Sequence, residues 1–371
     1  MAFTAQDVKA LREKTGVGMM ECKKALTEAD GDMDKAIDFL RERGLAAAQK
    51  KATRIAAEGV VLPYYDADSK KGVVVEVNSE TDFVAKNEKF MDFVTGVAKT
   101  ILATDPADVE ALCASEFDGT GRTVTETLND LVLAIGENMK VRRFERMDGI
   151  VSTYIHGGGS VGVMIGFDVA DESKAATQEF EAMGKNVAMQ IAAMNPDYLS
   201  ESEISADESA KMKSITVDSA LNKPNSLPMP ILNSLIDEAI NEKKWSDADI
   251  DIYQGLDNKQ RKNFVNFISD EAFATLAEIA VSHKAEISEN KIFTGLVQGR
   301  LSKQIKEICL LEQDFVRSDL FQGSVKGYID SVAKALGTEI KATGFIRMMK
   351  GDGLEKREEN FAEEIAKQIN G

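Results

Sequence analysis

The chain has 371 residues, 43% of them hydrophobic and 29% charged, which is the range of soluble globular proteins and enough for two or three domains. Its net charge of −17 makes it a poor general binder of nucleic-acid phosphates. No apolar run reaches the roughly 18–20 residues of a membrane span, and Met1-Ala2-Phe3-Thr4 opens no basic-then-apolar leader, so neither a membrane nor direct nucleic acid is expected as partner. Three scattered cysteines, Cys22, Cys113 and Cys309, read as reduced thiols of a cytoplasmic protein.

Residues 1–55 read as three short helices. Thr4 caps the first, with Val8 and Leu11 on its apolar face, and Thr15-Gly16-Val17-Gly18 interrupts it. The second runs from about Met19 to Ala29. Asp30-Gly31-Asp32 breaks the pattern again, and the third carries Ala36, Ile37, Phe39 and Leu40 as far as Gly44. A polar, Ala/Lys-rich connector follows over residues 46–57. Residues 1–57 hold 11 basic and 9 acidic side chains, whereas residues 201–290 hold 9 basic and 17 acidic, so about half of the acidity sits in one later segment.

An internal repeat begins at residue 58. Glu58-Gly59-Val60-Val61 matches Asp148-Gly149-Ile150-Val151, and Gly72-Val73-Val74-Val75 matches Gly162-Val163-Met164-Ile165. Phe90, Val97, Ile101 and Pro106 match Phe180, Val187, Ile191 and Pro196, every pair offset by 90. Each copy predicts two strands joined by a turn and then an amphipathic helix, a small α+β unit. Residues 123–149 end the first copy, and their echo lies within residues 324–353, with Leu128, Gly136, Phe144 and Arg146 matching Ile329, Gly337, Phe345 and Arg347 at an offset of 201. The second copy therefore carries 111 extra residues between Pro196 and Val325. The expected fold class is α+β. A three-helix domain spans 1–55 and a first core subdomain 56–147. A second core subdomain takes 148–200 and 296–352, interrupted by a helical acidic insertion at 201–295. A C-terminal helical module, 353–371, has Phe361, Ile365 and Ile369 on one face.

Chemistry-bearing motifs are sparse. Only two histidines occur, His156 and His283, in no zinc-site spacing, and no Walker-type phosphate loop appears. Gly157-Gly158-Gly159-Ser160-Val161-Gly162 fits G-x-G-x-x-G, but the repeat sets it opposite Asp68-Ser69-Lys70-Lys71-Gly72, between two strands. A dinucleotide loop joins a strand to a helix, so a hairpin turn is expected here. No catalytic residue, metal site or cofactor is assigned.

The copies differ most between the last strand and the helix. Asn78-Ser79-Glu80-Thr81-Asp82-Phe83-Val84-Ala85-Lys86-Asn87 aligns with Asp168-Val169-Ala170-Asp171-Glu172-Ser173-Lys174-Ala175-Ala176-Thr177. Phe83 and Val84 stand where the second copy has Ser173 and Lys174. Two placements are open: an exposed Thr81-Asp82-Phe83-Val84 segment with an aromatic anchor for a partner, or a Phe83 packed under the three-helix domain or against the second copy.

Residues 79–87, Ser-Glu-Thr-Asp-Phe-Val-Ala-Lys-Asn, resemble the signature of translation elongation factor Ts. So do Thr15-Gly16-Val17-Gly18-Met19-Met20-Glu21-Cys22-Lys23-Lys24-Ala25-Leu26, Ala192-Ala193-Met194-Asn195-Pro196, and the stretch from Gly299-Arg300 to Leu310-Leu311-Glu312-Gln313. The resemblance covers about residues 1–200 and 296–371. It implies a guanine-nucleotide exchange factor for elongation factor Tu, with a ubiquitin-associated-like N-terminal domain and two α+β core subdomains. By the same resemblance, Thr81, Asp82, Phe83 and Val84 belong to the segment that enters beside the partner's nucleotide and disturbs its magnesium ion. Arg12, Met19 and Met20 match contacts to the partner's nucleotide domain, His156 a contact elsewhere on it, and the C-terminal helix adds more. The insertion reads as longer than the family's usual helical piece, so self-association is not carried over, and it is either a peripheral embellishment or an altered partner contact. An adaptor holding proteins through the three-helix domain, and a cryptic transferase or hydrolase, are the competing functions.

Overall fold

The structure, a computed structural model, describes residues 3–355. The chain forms two compact units: one holds the residues up to Asn195 together with those from Phe315 onward, and the other is Pro196–Asp314.

The first unit opens with α1 (Ala5–Thr15), α2 (Met19–Glu28) and α3 (Met33–Lys51). Thr4 and Asp7 form a reciprocal capping box at the start of α1, which ends at Gly16 in the left-handed conformation, φ 69°. Asp32 caps α3 by accepting from the Asp34 and Lys35 N–H groups. Val8, Leu11, Cys22, Leu26, Ala36 and Leu40 close a small core between the three helices. The third helix does not stop at Gly44 but continues to Lys51, through much of the expected connector. Gly44 is buried, and a Cβ there would sit 3.1 Å from the Asn129 carbonyl oxygen. This glycine lets another helix approach closely and does not end its own.

The first copy of the repeat is β1 (Glu58–Asp66), β2 (Lys71–Ser79), the single turn α4 (Asp82–Ala85), α5 (Glu88–Thr104), α6 (Val109–Ala114), α7 (Val124–Ile135) and β3 (Met139–Asp148). The second begins with β4 (Ile150–His156), β5 (Val161–Val169), a 3-10 turn at Glu172–Ala176, and α8 (Gln178–Met194). The inserted unit follows, with α9 (Ala206–Leu221), α10 (Met229–Asn241), α11 (Asp247–Gly255), α12 (Asp270–Ser282), α13 (Lys284–Glu289) and α14 (Lys291–Ile308). Its core gathers Leu221, Leu232, Ile236, Leu276 and Phe293 around Trp245, whose indole N–H donates to the Ala272 carbonyl at 2.8 Å. The compact unit is wider at both ends than the 201–295 read from the sequence. α15 (Val325–Leu336) and β6 (Ile340–Met349) then complete the second copy. Beyond residue 355, the expected C-terminal helix lies outside the described residues.

Two antiparallel three-stranded sheets result, ordered β1-β2-β3 and β4-β5-β6, so the architecture is α+β. Alternate residues of β2 point to opposite faces. Val73, Val75 and Val77 meet Phe90, Phe93, Val94, Val97 and Ile101 of α5, and each such side chain contributes about 1.5–3 kcal/mol before chain entropy is set against it. Val74 faces the other way, joining Val61, Val151, Met164 and Met348 between the two sheets. Val61 and Val151, and Val74 and Met164, are repeat equivalents, so the copies bury matching faces against each other. Both sheets also carry a bulge at the equivalent place: Arg142 is the extra residue opposite the Glu76–Val77 step, and Thr343 the extra one opposite Gly166–Phe167.

Candidate partner-binding site

β2 ends at Ser79, and α4 makes one turn before α5. Successive helical residues point about 100° apart, so this turn cannot place Phe83 and Val84 on the same side. Phe83 is 77% exposed, whereas Val84 is 4% exposed and belongs to the core beside Val75, Val77 and Phe90. The expectation of one exposed segment from Thr81 to Val84 is corrected accordingly. Asp82 and Phe83 face solvent, Thr81 is half-buried, and Val84 is the anchor beneath them.

The turn is tied down at both ends. The Thr81 N–H donates to Glu137 Oε2 at 2.9 Å and its hydroxyl to Oε1 at 2.7 Å, while the Ser79 hydroxyl donates to the Thr81 carbonyl at 2.9 Å. On the far side the Asn87 N–H donates to the Val84 carbonyl at 2.9 Å, and Asn87 caps α5 through the Lys89 N–H. Lys86 pairs with Asp82 at 3.1 Å and lies 5.9 Å from the Phe83 ring centroid. Both partners of that ion pair are largely exposed, so it costs little to break.

The repeat supplies an internal control. Ser173, equivalent to Phe83, is exposed, so neither position requires an apolar side chain for packing. The comparison fails one residue on, where Lys174 is half-buried and Val84 fully so.

Met19 and Met20, the first two residues of α2, are 46% and 75% exposed, and Arg12 is exposed on α1. Lys89 donates from Nζ to the Gly16 carbonyl at 3.1 Å, which holds the turn before Met19 against the start of α5. A cleft of about 680 Å³ opens between the three helices and the first copy, lined by Lys14, Arg41, Lys89, Asp92 and Phe117 among others. The structure thus brings the Met19–Met20 end of α2 and the start of α5, which follows the Phe83 turn, into one region. His156 is placed apart from them. It ends β4 on the other sheet, exposed, with Nδ1 3.2 Å from the Tyr154 hydroxyl.

Gly157, Gly158 and Gly159 form the β4–β5 hairpin turn, all with positive φ, and the Gly159 carbonyl accepts from the Val61 N–H at 2.9 Å. Two strands flank this glycine run, with no helix N-terminus to receive a phosphate. Among the described residues, no group of three or more His, Cys, Asp or Glu side chains is arranged to hold a metal ion, and no helix is long and apolar enough to cross a membrane.

The sequence reading missed Glu137, Lys89 and Glu76. Glu137 stands 56 residues from Thr81. The signal that finds it is the offset of 201, which pairs Glu137 with Thr338. Glu76 has no exposed surface and is bound by Arg142, Arg143, Asn78 and the Gly351 N–H. The offset of 90 sets it against Gly166.

The family model for Elongation factor TS matches residues 80–247 and 258–352. Proteins named Elongation factor Ts from Clostridium perfringens SM101 and Clostridioides difficile 630 are 40% and 41% identical over 368 and 369 residues, covering 98% and 99% of both chains. One from Clostridium botulinum Alaska E43 is 40% identical over 370 residues, covering 99% of both. These alignments run through the inserted unit, so relatives of matching length share it and it is no peculiarity of this chain. The chain belongs to the elongation factor Ts family of translation elongation factors.

Proposed function

We propose that the chain binds elongation factor Tu and accelerates GDP release by inserting the Asp82–Phe83 turn beside that partner's nucleotide and magnesium ion. One observation carries this reading: Phe83 is 77% exposed although the turn beneath it is anchored by Val84, Glu137 and Asn87. A large aromatic held outward on a fixed backbone loses little freedom on docking, which is what a binding anchor needs.

Linkage supplies the mechanism. A factor that binds the nucleotide-free partner more tightly than the GDP-bound one weakens GDP binding by the same factor. Each 1.4 kcal/mol or so of that preference weakens GDP binding about tenfold. An aromatic that fits only once the partner's nucleotide loops have moved, and the magnesium that bridges them to phosphate has loosened, supplies such preference. Asp82 adds a negative charge where the partner's magnesium and phosphates are held. Arg12, Met19 and Met20 form a second contact through the three-helix domain, and His156 with its glycine turn a third. Thr81 and Val84 support the turn from within. The role is cytoplasmic and asks no covalent step of the chain's own residues.

The test is release of labelled GDP from elongation factor Tu with and without the chain. Acceleration supports the proposal, and Ser173→Ala should leave it intact. Absence of acceleration contradicts the exchange reading, and tight binding without acceleration favours an adaptor.

A further inference from the structure

We infer that Glu137 is a positioning residue that sets the direction in which Phe83 leaves the surface; the inference rests on the exchange reading above. α4 has only four residues, far too few for a helix that is stable by itself. Thr81 occupies its N-cap but makes no capping bond into it, because its hydroxyl is engaged elsewhere. Both oxygens of the Glu137 carboxylate are taken by Thr81, one by the N–H at 2.9 Å and one by the hydroxyl at 2.7 Å. Hydrogen bonds to a charged acceptor are about twice as strong as neutral ones.

The base of the clamp is fixed as well. Gly136 ends α7 in the left-handed conformation, φ 91°, and releases the chain at Glu137. The next N–H, of Asn138, donates to Glu80 Oε1 at 2.6 Å, and the Asn138 side-chain amide donates to the Arg54 carbonyl at 2.8 Å. Glu80 and Thr81 therefore reach the end of α7 by two crossed ties, one donated in each direction.

The second copy shows what this site is like without an outward aromatic. Asp171 replaces Thr81 and caps its own turn, accepting from the Ser173 N–H at 3.1 Å and hydroxyl at 2.6 Å. Thr338 replaces Glu137, and its hydroxyl accepts the Asp171 N–H at 3.0 Å. The backbone bond is thus present in both copies. The copy with a polar surface caps itself and uses one neutral acceptor, while the copy with Phe83 gives up its cap for a two-oxygen carboxylate clamp. That exchange fixes the turn from outside, through the end of α7.

The experiment measures GDP release from elongation factor Tu against concentration of the full chain, together with amide exchange over residues 80–86. Glu137→Ala should lower the maximal rate about tenfold, the loss expected for charge-assisted hydrogen bonds, with half-saturation within about twofold of wild type. Amide exchange over 80–86 should rise while α5 and α7 stay protected. Glu137→Gln, keeping one acceptor oxygen, should fall between. In a Phe83→Ala chain, Glu137→Ala should cost nothing further. Full maximal rate in Glu137→Ala, an equal loss in the Phe83→Ala chain, or unchanged exchange over 80–86 overturns the positioning role while leaving the exchange reading standing. Failure of the wild-type chain to accelerate release overturns the exchange reading instead.

Discussion

Glu76→Ala tests whether the first sheet depends on a buried charge. The carboxylate has no exposed surface and binds Arg142 Nη1 at 3.0 Å, Arg143 Nε at 2.7 Å, Asn78 Nδ2 at 2.9 Å and the Gly351 N–H at 2.8 Å. The β3 bulge sets both arginines opposite it, and Arg142 also reaches the Asp352 carbonyl, so Glu76 fastens the segment after β6 to the first copy. Removing one partner of a buried ion pair costs about 3–5 kcal/mol. The side chains of Arg142 and Arg143 keep 21% and 35% of their surface in solvent and recover some hydration, which puts the loss at the lower end, about 3 kcal/mol. The assay is urea-dependent amide exchange in β2 and β3, which reads the opening of this sheet and not of the whole chain. With a urea slope near 3 kcal/mol/M, the midpoint for these strands should fall by about 1 M. Burial alone would raise the Glu76 pKa, but hydrogen bonds from Gly351, Asn78, Arg143 and Arg142 outweigh it and hold the value below the ordinary 4.5. A depressed carboxylate stabilises the fold above its unfolded pKa, and that stability is lost as pH falls through the folded value. The gap between wild type and Glu76→Ala should therefore narrow below about pH 4.5. A shift under about 0.3 M at neutral pH, or a gap that widens in acid, would refute the reasoning.

Val84→Ala should destabilise the first unit by about 2 kcal/mol, whereas Phe83→Ala should change stability by less than about 0.5 kcal/mol, and thermal unfolding of the two variants compares them. Met19→Ala with Met20→Ala should raise the half-saturating concentration in GDP release about tenfold with little change in maximal rate, as loss of uniform binding does. Trp245→Phe removes the 2.8 Å bond to the Ala272 carbonyl and some core volume, so amide exchange in α12 should show a loss of about 1–2 kcal/mol.

The repeat was legible in the sequence because its first fifty residues align without a gap, and the β2 and α5 patterns each have one clear period. Both hairpins follow from it, and so does the harmless reading of Gly157-Gly158-Gly159. Other features were hidden for definite reasons. Gly44 looks like a helix stop, yet its lack of a side chain serves the approach of α7, a contact that local pattern does not encode. Val84 was read with Phe83 because both are apolar, but a single helical turn sends neighbours in different directions. The insertion's limits blur because α14 continues an ordinary helical pattern up to Ile308. The Thr81–Glu137 clamp spans 56 residues, and neither residue type announces it alone.

Phe83→Ala in the GDP-release assay tests the central claim most directly. Loss of a central aromatic anchor costs about 2–4 kcal/mol, so maximal acceleration should fall at least about thirtyfold, with the fold's melting unchanged. Acceleration by Phe83→Ala equal to that of the wild-type chain would contradict the account.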